Sequence, residues 1–320
     1  MLRRKLFAQA IGDEVLLRQQ AKLLLVDKKI PLDKADLEKI GRQYGVDMAT
    51  CCYYESLLQS GHGLFKNKID RFAVTDNVTI KPLSQKIKIL LIPGMFYKEH
   101  PEMGGDGMLI LSIAKQRGFD VQTIPVLSKG SMLKNVKIIN EYMQQEIATS
   151  IWFVSISKGS GELRYYLQNY PVPASVKGCL SIAGIHQGSP HAIEKRSNRL
   201  KRSLYKLLCK FSRIDYQVLE ELDPNHAIWK NKHRNDTLEY IHLVPIPLYS
   251  HLQALVIKRY ERLLRICYQP NDGIVPIADV NALPGKIYPL WGVDHFVRTS
   301  QISELLYKFF NYIAESENKP

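Results

Sequence analysis

The chain has 320 residues, 45% of them hydrophobic, so it can bury a large core, and it has no apolar run of about 18 residues that predicts a transmembrane helix. The net charge of +13 favours anionic partners in general, but nucleic acid is not expected because the basic residues lack interleaved aromatic residues. The five cysteines have no metal-like spacing, and their odd number favours a reducing compartment. Charged residues interrupt the N-terminal apolar stretch, so we expect no secretory signal and a cytoplasmic location.

The first 80 residues predict a helical N-terminal extension of two or three amphipathic helices. One apolar face consists of Leu16, Leu17, Ala21, Leu24 and Leu25. A further helix is expected after Pro31, with Asp33 as its candidate N-cap.

Strand and helix patterns alternate from residue 86 onward. We expect strands at 86–92, 119–126, 150–156 and 176–183, and helices at 106–117, 131–146 and 159–169. Two later strands, 265–268 and 286–291, and a helix over 302–313 follow. This alternation predicts an α/β fold with a mostly parallel sheet covered by helices, built from 81–189 and 263–320.

The turn after the third strand carries a candidate nucleophile. Ser155-Ile156-Ser157-Lys158-Gly159 joins a buried strand directly to a helix and is a variant of the G-x-S-x-G elbow. Such a turn exposes the central serine above the sheet and needs small residues two positions away on either side. Ser157 is therefore the candidate nucleophile, although an ordinary polar turn would also contain serine and glycine.

Two further residues complete a candidate catalytic triad. Asp272 lies in an Asn-Asp-Gly turn after the expected strand 265–268, and His295 lies in the loop after strand 286–291. The order Ser157, Asp272, His295 matches that of one class of serine hydrolase. Asp279 and Asp294 are alternative carboxylates.

The same pattern indicates an oxyanion hole made of backbone N–H groups. One donor is Lys158, directly after the nucleophile, and the other lies in the loop after strand 86–92. In that loop Met95 is the preferred donor and Phe96 the alternative.

These segments together resemble bacterial lipases and esterases of the α/β-hydrolase superfamily. The matching pieces are IPGMF (92–96), SISKGSGELRYYL (155–167), VKGCLSIAGIHQGSP (176–190), NDGIVP (271–276) and GVDHF (292–296). The chain departs from the family pattern at Pro93, where histidine is usual, and at Ser155 and Ser160, where glycines are usual.

Residues 190–262 are expected to form a helical cap over the site. Within it a helix over 194–213 has an apolar face of Leu200, Leu204, Leu207, Leu208 and Phe211, and it has no acidic residue between 195 and 213. Either this face covers the core while the lysines are solvated, or the helix contacts an anionic membrane surface.

The resemblance implies a serine hydrolase that cleaves carboxylic esters, with lipid acyl esters or small esters as substrates. The same triad could serve an acyltransferase or a thioesterase, and a binding protein on this fold is a further alternative. The chemistry requires no cofactor and no metal ion.

Overall fold

The computed structural model describes residues 14–73, 86–230 and 237–317. Six parallel strands form one sheet in the order β2-β1-β3-β4-β5-β6. Their bounds are β1 Lys88–Ile92, β2 Asp120–Thr123, β3 Ile151–Ile156, β4 Val176–Ile182, β5 Glu239–Ile246 and β6 Lys286–Trp291. The predicted fold class, a parallel sheet covered by helices, is confirmed.

Twelve α-helices surround the sheet in the part of the chain described. They are α1 Glu14–Leu24, α2 Lys34–Tyr44, α3 Val46–Leu58, α4 Gly61–Asp70, α5 Met108–Gln116, α6 Met132–Gln145, α7 Lys158–Asn169, α8 Pro190–Lys195, α9 Arg199–Phe211, α10 Gln217–Glu221, α11 Ala254–Ile266 and α12 Ile302–Glu317. The side chain of Asp33 accepts a hydrogen bond from the N–H of Asp36, so the predicted cap of α2 is present.

Alternate residues of the strands serve two different cores. Ile89, Leu91 and Val154 face a layer that contains α4, α5 and α12. Leu90 and Phe153 face the opposite layer, formed by α6 and α7. This alternation is the period-two pattern of a sheet that is covered on both faces.

The N-terminal helices are packed on the sheet. Helices α1 to α3 cover the part of the second face that β5 and β6 form, where they contact Val244, Ile246 and Ile287. Helix α3 is buried along its length, and its Glu55 pairs with Arg18 at 2.7 Å. Residues 1–13 and 74–80 of the predicted extension lie outside the described residues.

Two predictions in the second half of the chain are wrong. Residues 265–268 are not a strand, because α11 continues to Ile266 and no strand follows it directly. The strand of the sheet that precedes Asp272 is instead β5, hydrogen-bonded between β4 and β6. Strand β5 lies within the range 190–262, so the predicted cap cannot extend over 239–246. Of that range, 231–236 lies outside the described residues.

The predicted helix 194–213 corresponds to the last two residues of α8 and to α9, which are separate helices, and its apolar face does not cover the core. Helix α9 turns Tyr205 and Cys209 inward. Its leucines and phenylalanine are exposed: Leu200 84%, Leu204 53%, Leu207 51%, Leu208 47% and Phe211 78%. Of the two alternatives for this face, the one in which it covers the core is therefore wrong for the residues that the structure describes.

Candidate active site

Ser157 is the single residue between β3 and α7. Its backbone has φ 51° and ψ −117°, a region that residues other than glycine rarely adopt. Gly159 permits the sharp turn, because a Cβ there would lie 2.6 Å from the carbonyl oxygens of Ile92 and Pro93. Strand and helix thus converge as the elbow pattern requires, and the hydroxyl group of Ser157 faces a cavity.

The three candidate triad residues lie within hydrogen-bonding distance of one another. Ser157 Oγ is 2.9 Å from His295 Nε2, and His295 Nδ1 is 2.7 Å from Asp272 Oδ2. A proton on Nδ1, donated to the carboxylate, leaves Nε2 free to accept from the serine hydroxyl. Asp272 and His295 are 23 positions apart in the sequence, and the N–H of His295 also donates to the carbonyl of Asp272 at 3.0 Å.

The carboxylate of Asp272 is fixed from both sides. Its Oδ1 accepts from the N–H groups of Ile274 at 2.8 Å and Val275 at 2.9 Å, and its side chain is buried. The Asn-Asp-Gly turn makes these bonds possible, because it brings the N–H groups of Ile274 and Val275 back to the side chain of Asp272. The orientation of His295 therefore depends on a carboxylate that has little freedom to rotate.

The two alternative carboxylates bind other groups. Asp279 pairs with Lys34, and burial raises its pKa to about 6, against the opposing effect of Lys34. Asp294 accepts from the N–H groups of Gln253 and Phe296, at the start of α11 and in its own loop. Neither contacts His295 through a hydrogen bond among the described residues.

Two backbone N–H groups beside Ser157 have no acceptor within the described chain, and they belong to Met95 and Lys158. The alternative donor is already used, because the N–H of Phe96 donates to the carbonyl of Ser128 at 3.1 Å. The loop also passes close to the nucleophile, since a Cβ at Gly94 would lie 3.6 Å from that of Ser157. An oxyanion hole needs N–H donors near the nucleophile that are not already bonded, so Met95 and Lys158 stay the predicted donors.

A cavity of about 1070 Å³ opens over Ser157 and His295. Its apolar walls come from several elements and include Met95, Ile185, Leu219, Leu222, Ile274 and Leu306. Leu219 and Leu222 belong to the segment between β4 and β5, so that segment forms one wall. Within residues 14–73, 86–230 and 237–317, no three His, Cys, Asp or Glu side chains are grouped as metal ligands would be.

Comparison with known proteins identifies the fold. No protein-family model matches the sequence, and no curated protein matches it significantly. A metagenomic carboxyl esterase of solved structure is 20% identical, with a TM-score of 0.55 over 77% of this chain and 82% of that one. A lipase of Bacillus licheniformis in its propeptide form is 19% identical, with a TM-score of 0.50 over 73% of this chain and 52% of the lipase, so the match spans about half of the lipase. The chain has the α/β-hydrolase fold.

The serines that replace the usual glycines of an α/β-hydrolase elbow are bonded to each other. Ser155 Oγ and Ser160 Oγ are 3.0 Å apart. Ser181 Oγ lies 2.9 Å from Ser160 Oγ and 3.0 Å from His186 Nε2. All four side chains are buried, and Ser155 and Ser160 do not line the large cavity. Their hydroxyl groups therefore satisfy one another below the elbow, and of the three elbow serines only Ser157 lines the cavity.

A buried network that sequence reasoning missed connects the loop after β1 to the elbow at Ser157. The ammonium group of Lys158 pairs with Glu162 one turn later in α7, and Asn135 Nδ2 donates to Glu162 at 2.7 Å. Asn135 also bonds the N–H and carbonyl of Leu127, next to the Ser128 carbonyl that holds Phe96. Burial raises the pKa of Glu162, and Lys158 opposes that shift. The i, i+4 spacing of Lys158 and Glu162 was the available signal, but such a pair is normally exposed.

Proposed function

We propose that the protein is a serine hydrolase of carboxylic esters that uses Ser157, His295 and Asp272 as its catalytic triad. The observation that carries the proposal is the continuous chain of hydrogen bonds from Ser157 Oγ through His295 to Asp272, next to two free N–H groups. A carboxyl esterase and a lipase share the fold, which is consistent with this chemistry.

In the proposed reaction His295 Nε2 accepts the proton of Ser157 as Oγ attacks the ester carbonyl. The N–H groups of Met95 and Lys158 donate to the oxyanion, a contribution of roughly 3–4 kcal/mol per donor. His295 then protonates the departing alcohol, and water attacks the acyl-enzyme by the same route. Asp272 orients the imidazole ring and stabilises its charged form.

The preferred substrates are lipid acyl esters. The support is the size of the cavity, about 1070 Å³, and its apolar lining, which suits an acyl chain rather than a small polar acyl group. A further element of the proposal is contact of α9 with an anionic membrane surface, which would bring the site to such substrates.

A panel of 4-nitrophenyl esters of increasing acyl length tests the activity. We expect hydrolysis by the unmodified chain, and a loss of kcat on the order of 10⁴- to 10⁶-fold in Ser157→Ala, because the nucleophile is removed. The matched controls Ser155→Ala and Ser160→Ala should keep most of the activity, since these hydroxyl groups face one another below the elbow.

The control variants also report on the fold. Ser160→Ala should lower the free energy of unfolding by about 1–3 kcal/mol, because it leaves buried hydroxyl partners unsatisfied. An active Ser157→Ala protein, or an inactive Ser155→Ala protein that is correctly folded, would contradict the assignment of the nucleophile.

A further inference from the structure

One wall of the cavity carries a group of positive charges. Lys195 at the end of α8 and Arg259 and Arg262 on α11 all line it, together with His191. The acidic residues of the lining, Glu102 and Asp106, come from the loop that precedes α5. The α8–α11 wall is thus positive, while the remaining arginine of the lining, Arg298 in the loop after β6, lies on the acidic side, where it donates to the carbonyl of Glu102.

Two of the three cations of the α8–α11 wall have no carboxylate partner among the described residues. Arg262 is 3.3 Å from Glu194, but neither Lys195 nor Arg259 has a carboxylate within ion-pair distance in the described part of the chain. Burial lowers the pKa of Lys195, and repulsion from Arg259 and Arg262 adds to the effect. Burial likewise lowers the pKa of His191, and the same three cations contribute. Lys195 is half-buried whereas Arg259 and Arg262 are exposed, so the cost of an unpaired positive charge falls mainly on Lys195, and a bound anion would lower that cost.

The group is close to the reacting atoms. The guanidinium carbon of Arg259 is 6.0 Å from the centre of the Phe296 ring, which in turn is 5.9 Å from the His295 ring centre. His191 Nε2 is 3.1 Å from the carbonyl of Gly273, the residue after Asp272. A substrate whose ester lies at Ser157 can therefore place another part of itself against the α8–α11 wall.

We propose that the preferred substrate carries an anionic group, a carboxylate or a phosphate, which Lys195, Arg259 and Arg262 bind while the ester lies at Ser157. The inference rests on the proposed ester hydrolysis and narrows its substrate class to anionic esters. Arginine and lysine side chains supply both the hydrogen-bond donors and the charge that such a group requires. In this arrangement the anion supplies the counter-charge that the chain lacks.

Matched pairs of soluble esters test the proposal without a membrane. On the acyl side the pair is 4-nitrophenyl hydrogen suberate and 4-nitrophenyl octanoate, and on the alcohol side it is 4-acetoxybenzoate and 4-methylphenyl acetate. For each pair the ratio of kcat/KM, anionic over neutral, is measured in the unmodified chain, in Lys195→Gln, in Arg259→Gln and in the double variant. The neutral ester serves as the control for folding.

We expect the ratio for at least one pair to fall about 10- to 100-fold in the double variant, as the loss of charged hydrogen bonds predicts. The matched control is Lys258→Gln, which removes an equal charge from the exposed face of α11 outside the cavity and should change the ratio less than about twofold. The inference would be overturned if all the esters are hydrolysed and neither Lys195→Gln nor Arg259→Gln changes the ratio for either pair.

A binding measurement separates this outcome from failure of the proposed function. Suberate has no ester to hydrolyse, so the difference in its calorimetric titration between the unmodified chain and the double variant reports on the cationic wall without turnover. If suberate binding weakens in the double variant but no ester is hydrolysed, the proposed ester hydrolysis is contradicted and the anion site is supported. Suberate binding that is equal in all variants would overturn the anion site.

Discussion

Three buried aspartates near the end of the chain have different partners and therefore different expected roles. Asp272 bonds His295, Asp279 pairs with Lys34, and Asp294 accepts from two N–H groups around the start of α11. All three side chains are buried, so burial does not indicate which of them is catalytic. Since their partners differ, we expect their variants to differ in activity and in stability.

Asp272→Asn should lower kcat by about 10⁴-fold, as seen when a triad carboxylate is neutralised, because the imidazole then loses its correct tautomer. Asp294→Asn and Asp279→Asn should change kcat far less, since neither side chain bonds His295. Steady-state kinetics on a soluble ester checks all three. If Asp294→Asn were the most damaging change, the carboxylate of the triad would be misassigned.

Asp279 should make stability depend on pH. Its pKa is about 6 in the folded chain, against about 4 for an unperturbed aspartate, so the folded state holds this proton more tightly than the unfolded state. The contribution of Asp279 to stability therefore falls as the pH rises from about 4 through 6.

Asp279→Asn should remove that fall. The difference in free energy of unfolding, variant minus parent, should be about 1–3 kcal/mol larger at pH 7.5 than at pH 4. Urea denaturation of both proteins at the two pH values measures this gain. A difference between the proteins that stays constant with pH would show that the carboxyl group ionises normally in the folded chain.

At the scale of elements, α9 is unusual because its apolar face is turned to solvent. Its apolar residues are exposed, basic residues flank them, and the helix contains no acidic residue. Basic amphipathic helices can lie in the plane of an anionic membrane interface, which supports the proposed membrane contact of α9. Among the described helices, none has the combined length and hydropathy to cross a bilayer.

Co-sedimentation with phosphatidylglycerol-containing vesicles tests the contact of α9. Arg199→Glu, Lys206→Glu and Lys210→Glu together should weaken binding by more than about 100-fold, at about 1 kcal/mol for each basic residue plus added repulsion. Leu200→Gln, Leu204→Gln and Phe211→Gln together should also weaken it, because apolar burial is lost. Salt should reproduce the first effect.

The matched control for α9 replaces equally exposed apolar residues elsewhere. Leu23, Leu64 and Ile147 are 74%, 74% and 93% exposed, and their change to glutamine should leave sedimentation unaltered. Hydrolysis of a soluble ester should stay the same in all three proteins. Vesicle binding that does not respond to either set of changes in α9 would exclude this helix as the contact.

At the scale of the whole molecule, the candidate site is assembled from segments distant in the sequence. The loop after β1 supplies Met95, the elbow supplies Ser157, and the loop after β6 supplies His295. They meet because the carboxyl ends of parallel strands lie at one edge of the sheet. The N-terminal helices cover the strands on either side of Asp272 and so support this edge from beneath.

The sequence by itself determined the features that depend on short-range patterns. Alternating strands and helices predicted the parallel sheet, and the strand–turn–helix around Ser157 predicted a turn that the structure contains. Asp272 and His295 could be chosen because their turns follow recognisable motifs. Strand β5 was missed since Pro245 interrupts its pattern and prolines are rare in central strands.

Only the tertiary structure decided what each face and charge contacts. Periodicity reveals that α9 has an apolar face, but whether protein covers that face depends on how its neighbours pack. The same holds for the Lys158–Glu162–Asn135 network and for the cations of α8 and α11, which are up to 67 residues apart between Lys195 and Arg262. Long-range contacts of this kind leave no local pattern, because each residue is chosen to fit partners that the chain brings near only when it folds.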